Sequence, residues 1–335
     1  MVNGNFVRPT RISALATYVP PGILDNKQLS QMTDTTDEWI LQRTGIRTRH
    51  IAGKGVPTSV LAKEAALKAL AQRGISATDL DLVIVGTTTP DMMFPSTAAL
   101  LQDELGATQC WGFDLGAACS GFTFAIATAS QLVSTGKHNC ALVIGADVMS
   151  SIIDYTDRAT CVLFGDGAGA VLIEPAIEDG LEIIDFAHEI DGSGRDALFM
   201  AAGGSLNPAT HETVEKRMHS VRQDGGAVFK FAVRKTEDIG RRIMARNGVT
   251  ADDVALFVSH QANSRIILSA AGRLGFPESK VMINIEEYGN TTAATIPLAL
   301  DDAVKQGRLK KGDLVLMTSV GAGFTVGSVL LRWAF

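Results

Sequence analysis

Short apolar runs alternate with helical patterns along most of the chain. The runs are brief, continuous and bounded by polar or glycine-containing turns. They lie at residues 82–85, 141–144, 256–258 and 314–317. Segments with helical spacing lie between them, for example at 59–73 and 236–246. Continuous apolar strands are typical of sheets buried on both faces, so the pattern predicts an α/β fold in which helices cover the sheets.

The order of these elements occurs twice. Residues 74–80 and 248–254 have similar sequences at an offset of 174 positions, and each segment leads into an apolar strand. A second match relates residues 133–137 to 304–308 at an offset of 171. Internal similarity at a fixed offset indicates that one structural unit is repeated.

The longest uncharged segment fits a repeated unit. Residues 115–136 contain no charged side chain, but glycine, serine and threonine dilute the run below what a membrane-spanning helix needs. Two similar sheets packed together would bury such a helix from both sides. We therefore expect two halves, residues 1–175 and 176–335, with this segment as a buried helix between their sheets.

Composition and charge exclude several classes of protein. Of the 335 residues, 46% are hydrophobic and 20% charged, which predicts a folded chain with a large core. The net charge of −6 does not favour nucleic-acid binding, and the first residues lack the apolar core of a secretion signal. We expect a cytoplasmic protein that binds neither nucleic acid nor membranes. The four cysteines lack CxxC spacing, which argues against a disulfide scaffold or a structural zinc site.

Cys119 differs from the other cysteines in its position. It lies in the sequence FDLGAACSGF, where an apolar strand enters a turn of small residues and a helix follows. Such a turn can present a nucleophile at a helix N-terminus, where the helix dipole is expected to lower the thiol pKa. Alternatively, Cys119 only fills space, as buried free cysteines often do; Cys110, Cys140 and Cys161 are interpreted in that way.

Two polar residues of the second half lie at comparable places. His260 directly follows the strand at 256–258, and the repeat makes it the counterpart of Gly86. Asn290 follows a glycine and precedes a helix, and the offset of 171 makes it the counterpart of Cys119. Ligands of α/β sheets bind beyond the carboxyl ends of the strands. Each residue alone could be structural, His260 as a bonded core histidine and Asn290 as a helix cap.

Two glycine-containing segments differ in their expected role. Residues 165–170 lack the GxGxxG spacing of a dinucleotide loop and lead into an apolar strand, so we expect close backbone packing there. Residues 321–323 lie just past a strand end, where small residues can direct backbone N–H groups into a site.

Seven short motifs follow one another in a fixed order. They are TTDEWI from residue 35, RTGIR from 43, AACSGF from 117, FGDGAGA from 164, HQAN from 260, GNT from 289 and GFT from 323. In this order they resemble 3-oxoacyl-[acyl-carrier-protein] synthase III, a family of thiolase-fold condensing enzymes. The resemblance runs nearly end to end. It implies a five-layered αβαβα sandwich of two pseudo-symmetric halves and a Cys-His-Asn triad, here Cys119, His260 and Asn290.

The resemblance also implies the reaction. Cys119 would take an acyl group from acetyl-CoA or a similar short acyl-CoA, while the backbone N–H groups of Cys119 and Ala322 hold the oxyanion. Malonyl-acyl carrier protein would then lose CO2, and His260 and Asn290 would donate hydrogen bonds to the enolate. The 3-oxoacyl product would start fatty-acid synthesis. No metal or cofactor is implied, because the CoA thioester is a substrate.

Binding residues follow from the same resemblance. Trp39 and Arg158 match the pair that sandwiches the CoA adenine. Other positions that match the CoA channel are Thr35, Arg43, Gly225, Phe229, Ala262 and Asn263. Phe94 matches a residue that closes the acyl pocket of the partner in a homodimer. Basic positions that match the docking site of an acidic carrier protein are Lys230, Arg265 and Arg273.

Two departures leave the substrate open. Residues 201–224 form a longer segment than in the shortest family members, and Val320 stands where some members carry an aromatic residue. Relatives with the same triad make polyketide starters or other specialised acyl products, which is the alternative function among enzymes. A non-catalytic homodimer that binds a carrier protein is the alternative from a different class, and the intact triad argues against it. Primer length and branching depend on pocket packing and not on any motif.

Overall fold

The structure, a computed structural model, describes residues 7–335. Its strands are β1 (Thr10–Tyr18), β2 (Gly22–Asp25), β3 (Thr48–Ile51), β4 (Leu82–Gly86), β5 (Trp111–Leu115), β6 (Ala141–Asp147), β7 (Gly167–Pro175), β8 (Ile183–Ile190), β9 (Leu198–Met200), β10 (Val221–Gln223), β11 (Leu256–Ser259), β12 (Leu314–Gly321) and β13 (Thr325–Arg332). Its helices are α1 (Asn26–Leu29), α2 (Asp37–Thr44), α3 (Thr58–Arg73), α4 (Thr97–Leu105), α5 (Gly121–Ser134), α6 (Arg158–Cys161), α7 (His211–Glu215), α8 (Gly225–Arg246), α9 (Ser264–Leu274), α10 (Ile285–Tyr288) and α11 (Thr295–Lys305).

Two mixed sheets have matching topologies. The first has the order β1-β7-β6-β4-β5 and the second the order β8-β13-β12-β11. In each sheet a parallel pair, β4 with β6 or β11 with β12, is extended by antiparallel strands. The counterpart of β5 is reduced to a single bridge between Phe257 and Val281. The first sheet is built from residues 10–175 and the second from residues 183–332.

Helices separate and cover the two sheets. α5 and α11 lie between them, where Phe122, Ile126 and Ile296 pack with Ile84 and Val258 of the two sheets. α3 and α4 cover the outer face of the first sheet, and α8 and α9 cover that of the second. Each large apolar side chain buried in these layers contributes about 1.5–3 kcal/mol. The order of layers is helix, sheet, helix, sheet, helix, which confirms the predicted αβαβα sandwich.

The uncharged segment forms the buried helix that was predicted. α5 has most of its residues buried, and its polar side chains find partners: Thr123 Oγ1 lies 2.7 Å from Ser319 Oγ. Glycine lets the helix approach the first sheet closely, because a Cβ on Gly86 would lie 2.7 Å from the carbonyl carbon of Gly121. None of the helices in the described part of the chain has the length and apolar character needed to cross a membrane.

α8 begins eleven residues before the predicted helix at 236–246. Asp224 starts it, since its Oδ1 accepts the N–H groups of Gly226 and Ala227, both at 3.0 Å. The helix therefore begins at a cap that is followed by two glycines. Glycine is a poor helix former, so the helix propensities of the sequence do not indicate a helix start at this position.

The predicted equivalence of Cys119 and Asn290 is wrong by three positions. A 3-10 turn at Ala118–Ser120 leads directly into α5, and one at Thr292–Ala294 leads directly into α11. The first residue of each turn is left-handed, with φ of 47° and 49°. The counterpart of Cys119 is therefore Ala293. α5 has 14 residues and α11 has 11, which explains why the offset is 174 before these helices and 171 after them.

Candidate active site

Cys119, His260 and Asn290 line one cavity. Cys119 lies on the turn before α5, His260 directly follows β11, and Asn290 precedes the turn that leads into α11. All three residues are nearly buried, with 4–6% of their surface exposed. The outer wall of the cavity is formed by side chains from α2, α6 and the first turns of α8. The fold therefore brings the three candidate catalytic residues together from both halves of the chain.

The turn that carries Cys119 is held by the second sheet. Thr325 Oγ1 donates to the carbonyl of Ala117 at 2.8 Å, and Ser120 Oγ donates to the carbonyl of Thr325 at 3.2 Å. A Cβ on Gly321 would lie 2.8 Å from the backbone nitrogen of Cys119, so only glycine permits this approach. The second half of the chain thus supports the candidate nucleophile of the first.

Cys119 is a thiol in the resting protein. Burial raises the pKa of Cys119 to about 12, the nearby charge of Asp147 adds to the rise, and the residue's own backbone N–H opposes it. The predicted lowering of this pKa by the helix dipole is wrong, because desolvation dominates at a buried site. Attack on a thioester therefore needs a proton acceptor beside the sulfur.

His260 is uncharged in the resting protein, so one of its two ring nitrogens carries a proton and the other carries a lone pair. Burial lowers the pKa of His260 to about 3. Its Nδ1 lies 2.7 Å from Thr295 Oγ1, while Nε2 has no hydrogen-bond partner among residues 7–335. A hydroxyl can donate or accept, so Thr295 can hold either neutral tautomer of the ring and leave Nε2 for a ligand.

Asn290 is oriented by the backbone around it. Its side-chain Oδ1 accepts the N–H of Thr292 at 2.9 Å. Its own peptide N–H donates to Leu163, and its carbonyl accepts the N–H of Gly165. Because a backbone N–H only donates, the side-chain atom facing Thr292 is the oxygen. The Asn290 NH2 group bonds to no other described residue and is therefore available as a donor to a ligand.

A second, smaller cavity shares Cys119, Phe164 and Leu198 with the first. Cys119 and Ala322 both line it, and Ala322 directly follows β12. Its walls are mainly apolar and include Met149, Leu198 and Met200. Cys119 therefore lines both cavities, and the smaller one is the more apolar of the two.

Two family models match the chain. They are 3-oxoacyl-[acyl-carrier-protein (ACP)] synthase III over residues 113–192 and its C-terminal region over residues 244–333. The β-ketoacyl-[acyl-carrier-protein] synthase III of Koribacter versatilis is 56% identical over 98% of this chain and 99% of its own. The chain belongs to the 3-oxoacyl-[acyl-carrier-protein] synthase III family. It is thus a member of a family of condensing acyltransferases, as the motifs predicted.

Solved structures related to this synthase III family agree with the fold. The crystal structure of 3-oxoacyl-[acyl-carrier-protein] synthase III from Aquifex aeolicus is 42% identical, with a TM-score of 0.89 over 97% of this chain and 100% of that one. The priming β-ketosynthase from the R1128 polyketide biosynthetic pathway is 35% identical, with a TM-score of 0.92 over 99% of this chain and 98% of that one. The predicted thiolase-like fold is confirmed.

Most of the predicted CoA-channel residues of this synthase III homologue line the larger cavity. They are Trp39, Arg43, Arg158, Gly225, Phe229, Ala262 and Asn263. Thr35 lies outside the lining and precedes the residue that caps α2. The Arg158 guanidinium lies 4.9 Å from the centre of the Trp39 ring. A planar base between them needs about 7 Å, two van der Waals contacts of roughly 3.5 Å each, so the space between the two side chains is too narrow for a base in this structure.

The other predicted binding residues lie outside the cavity lining. Phe94 is 84% exposed on the loop between β4 and α4. Lys230 lies on α8, and Arg265 and Arg273 lie on α9. The Arg265 guanidinium stacks on an aromatic ring of the cavity wall at 5.5 Å, whereas Arg273 pairs with Glu237 at 3.4 Å. Arg273 is therefore paired with a carboxylate, whereas Lys230 and Arg265 form no ion pair among residues 7–335.

The sequence analysis did not identify the buried residues that form hydrogen bonds with the candidate catalytic residues. Asp147, at the end of β6, is fully buried, and Thr292 and Thr295 connect it to the cavity. The available signal was the sequence ALVIGAD, a buried strand that ends on a charged residue, which needs hydrogen-bond partners when it is buried.

Within residues 7–335, no group of three or more His, Cys, Asp and Glu side chains could hold a metal ion.

Buried histidines predict a loss of stability in mild acid. Burial lowers the pKa of His260 to about 3 and that of His188 to about 4, from 6.5. Below pH 6.5 the unfolded chain takes up protons that the folded chain resists, so stability is full above that pH and falls towards pH 4. Each histidine contributes up to about 1.4 kcal/mol per pH unit.

Urea unfolding at a series of pH values from neutral to about 4.5 measures this slope. His188→Gln keeps an amide donor for the Thr123 carbonyl, which lies 3.2 Å from His188 Nε2, and should flatten the slope. His211→Gln changes an exposed histidine and serves as the control. An unchanged slope in His188→Gln would contradict the assignment.

Proposed function

We propose that the protein condenses a short acyl-CoA primer with malonyl-acyl carrier protein to give a 3-oxoacyl-acyl carrier protein, and so starts fatty-acid synthesis. The observation that carries this proposal is the convergence of a buried thiol, a neutral imidazole and an unpaired amide donor, those of Cys119, His260 and Asn290. Membership of the synthase III family supports the same reaction.

In the first half-reaction, the sulfur of Cys119 attacks the thioester carbonyl of the acyl-CoA. Nε2 of neutral His260 takes the thiol proton and returns it to the CoA sulfur as the carbon–sulfur bond breaks. The backbone N–H groups of Cys119 and Ala322 bond to the oxyanion of the tetrahedral intermediate. The products are acyl-Cys119 and free CoA.

In the second half-reaction, the malonyl group loses CO2 and the electron pair of the broken bond forms an enolate. His260, with a proton on Nε2, and the Asn290 NH2 group donate hydrogen bonds to the enolate oxygen. Thr295 can stabilise this tautomer by turning its hydroxyl hydrogen from the Thr292 carbonyl to Nδ1. The enolate carbon attacks acyl-Cys119, the 3-oxoacyl product leaves on the carrier protein, and the Cys119 thiolate takes up a proton.

We further propose that CoA occupies the larger cavity and the acyl chain the smaller one, in a cytoplasmic homodimer. An acidic carrier protein would meet Lys230 and Arg265 near the cavity mouth, a local basic surface that is compatible with an acidic chain. The exposed ring of Phe94 would gain burial by reaching the partner's acyl pocket. We expect the halves 1–175 and 176–335 to act as one unit, because α5 and α11 share a core.

A specialised acyl product is the second candidate. The similarity to a priming β-ketosynthase of a polyketide pathway favours it, and so does the wall of the smaller cavity. There β9 pairs with β10, which belongs to the longer segment 201–224, and both strands contribute lining residues. The choice of acyl chain therefore depends on the part of the chain that departs from the shortest family members.

Product analysis tests the proposed function. The purified protein with acetyl-CoA and malonyl-acyl carrier protein should release CO2 and CoA in equal amounts and yield the acetoacetyl carrier protein by mass spectrometry. Comparing kcat/KM over straight and branched primers from acetyl to octanoyl separates the two candidates. If no primer yields a 3-oxoacyl product while the carrier protein still binds, the chain is a carrier-binding protein and the proposal is wrong.

A further inference from the structure

Asp147 is a buried carboxylate without a cationic partner among residues 7–335. It ends β6 and is 0% exposed. Its Oδ1 accepts N–H and O–H groups of residues 87–89 at 2.7–3.1 Å. Its Oδ2 accepts the hydroxyl of Thr292 and the N–H of Ala293. Burying a carboxylate is costly unless its lone pairs are filled, so these donors from both halves form a tightly specified junction.

Thr292 connects this carboxylate to two residues of the proposed reaction. Its N–H donates to Asn290 Oδ1 at 2.9 Å. Its carbonyl accepts Thr295 Oγ1 at 3.1 Å, and the same hydroxyl lies 2.7 Å from His260 Nδ1. Thr292 has φ of 49°, a conformation that β-branched residues rarely adopt. Its bond to Asp147 therefore helps to hold a strained peptide whose N–H orients the Asn290 side chain.

We propose that Asp147 and Thr292 are positioning residues for the second half-reaction. Asp147 fixes Thr292, and the N–H of Thr292 holds Asn290 Oδ1 and so directs the Asn290 NH2 towards the enolate. The inference rests on the proposed function, because the enolate forms only after CO2 is lost. The Cys119 turn is also bonded to the second sheet, through Thr325, Ser120 and the close approach of Gly321, so its position does not depend on Thr292 alone. Acylation therefore depends less on this junction than decarboxylation does.

Thr292→Val is the primary test. It removes the hydroxyl that Asp147 holds but keeps the shape, the N–H and the carbonyl. Release of CO2 from malonyl-acyl carrier protein should fall on the order of 10- to 100-fold, while self-acylation by acetyl-CoA should fall by less than about threefold. Thr87→Val is the matched control, since it removes another hydroxyl from the same carboxylate, at 3.1 Å, on the side away from Thr292. It should leave both rates near those of the wild type.

Asp147→Asn adds a second readout. It should lower CO2 release as Thr292→Val does, and the double variant should lose no more than the larger single loss, because both changes break one link. A purely structural role would slow both half-reactions to the same extent.

Wild-type CO2 release by Thr292→Val would overturn the inference. An equal fall of both half-reactions in Thr292→Val and Thr87→Val would overturn it too, because the junction would then act only on stability. Failure of the proposed function gives a different result, since the wild-type protein itself would then take up no acetyl group or release no CO2.

Discussion

Cys119→Ala should abolish both self-acylation and condensation. Its sulfur is the only nucleophile of the proposed triad, and acyl transfer through the enzyme requires a covalent bond to it. Loss of a nucleophile in a comparable enzyme lowers kcat by about 10⁶-fold, and we expect a loss of that order here. Intact-protein mass spectrometry after incubation with acetyl-CoA measures the effect directly, because the wild-type chain should gain one acetyl group and the variant none.

Two further variants make this result specific. Cys119→Ser keeps the shape of the side chain but offers a hydroxyl with little nucleophilicity at neutral pH, so it should also fail to acylate. Cys110→Ser changes a half-buried thiol outside both cavities and should acylate like the wild type. Acetyl uptake by Cys119→Ala equal to that of the wild type would disprove the assignment of the nucleophile.

Asn290→Ala should uncouple the two half-reactions. The Asn290 amide contributes a donor to the enolate and nothing to the proposed attack of Cys119. Removal of one oxyanion donor costs about 10²- to 10³-fold in other enzymes, so CO2 release should fall by this factor while self-acylation persists. Asn290→Asp keeps the shape but replaces the donor with an acceptor, and it should lose CO2 release at least as completely.

His260→Ala should affect both half-reactions, to different degrees. It removes an enolate donor, so CO2 release should fall as in Asn290→Ala. It also removes the proposed acceptor of the thiol proton, so acylation should slow but recover partly as the pH rises towards the Cys119 pKa of about 12. Stopped assays of acetyl uptake and CO2 release, made on the same preparation, give the ratio of the two steps. Equal losses of both steps in Asn290→Ala would refute the division of roles.

The repetition of the fold was readable in the sequence, whereas its exact alignment was not. Buried strands are short apolar runs, and the offset of 174 correctly pairs Gly86 with His260 at the ends of β4 and β11. The alignment failed at Asn290 because α11 is three residues shorter than α5, and a local sequence match on one side of a deletion gives the wrong offset on the other. Backbone geometry, through two left-handed turn residues, resolves the difference.

The direction of the Cys119 pKa shift could not be predicted from the sequence. The motif around Cys119 correctly indicated a turn at a helix start, from which a lowered thiol pKa seemed to follow. That expectation ignored burial between two sheets and the charge of Asp147, which lies 28 positions further along the chain. Long-range burial determines the sign of this shift, so three-dimensional packing was needed to show that the thiol requires a proton acceptor.

The central layer of α5 and α11 also bears on how such a chain arose. Each half contributes one helix to that layer, and the apolar faces of both helices are covered only when the two sheets close on them. A single ancestral unit would have exposed this surface and would have been stable only as a symmetric pair. Duplication and fusion of its gene would turn that pair into one chain. The two helix starts could then differ in sequence, and the equivalent positions now carry Cys119 in one half and Ala293 in the other.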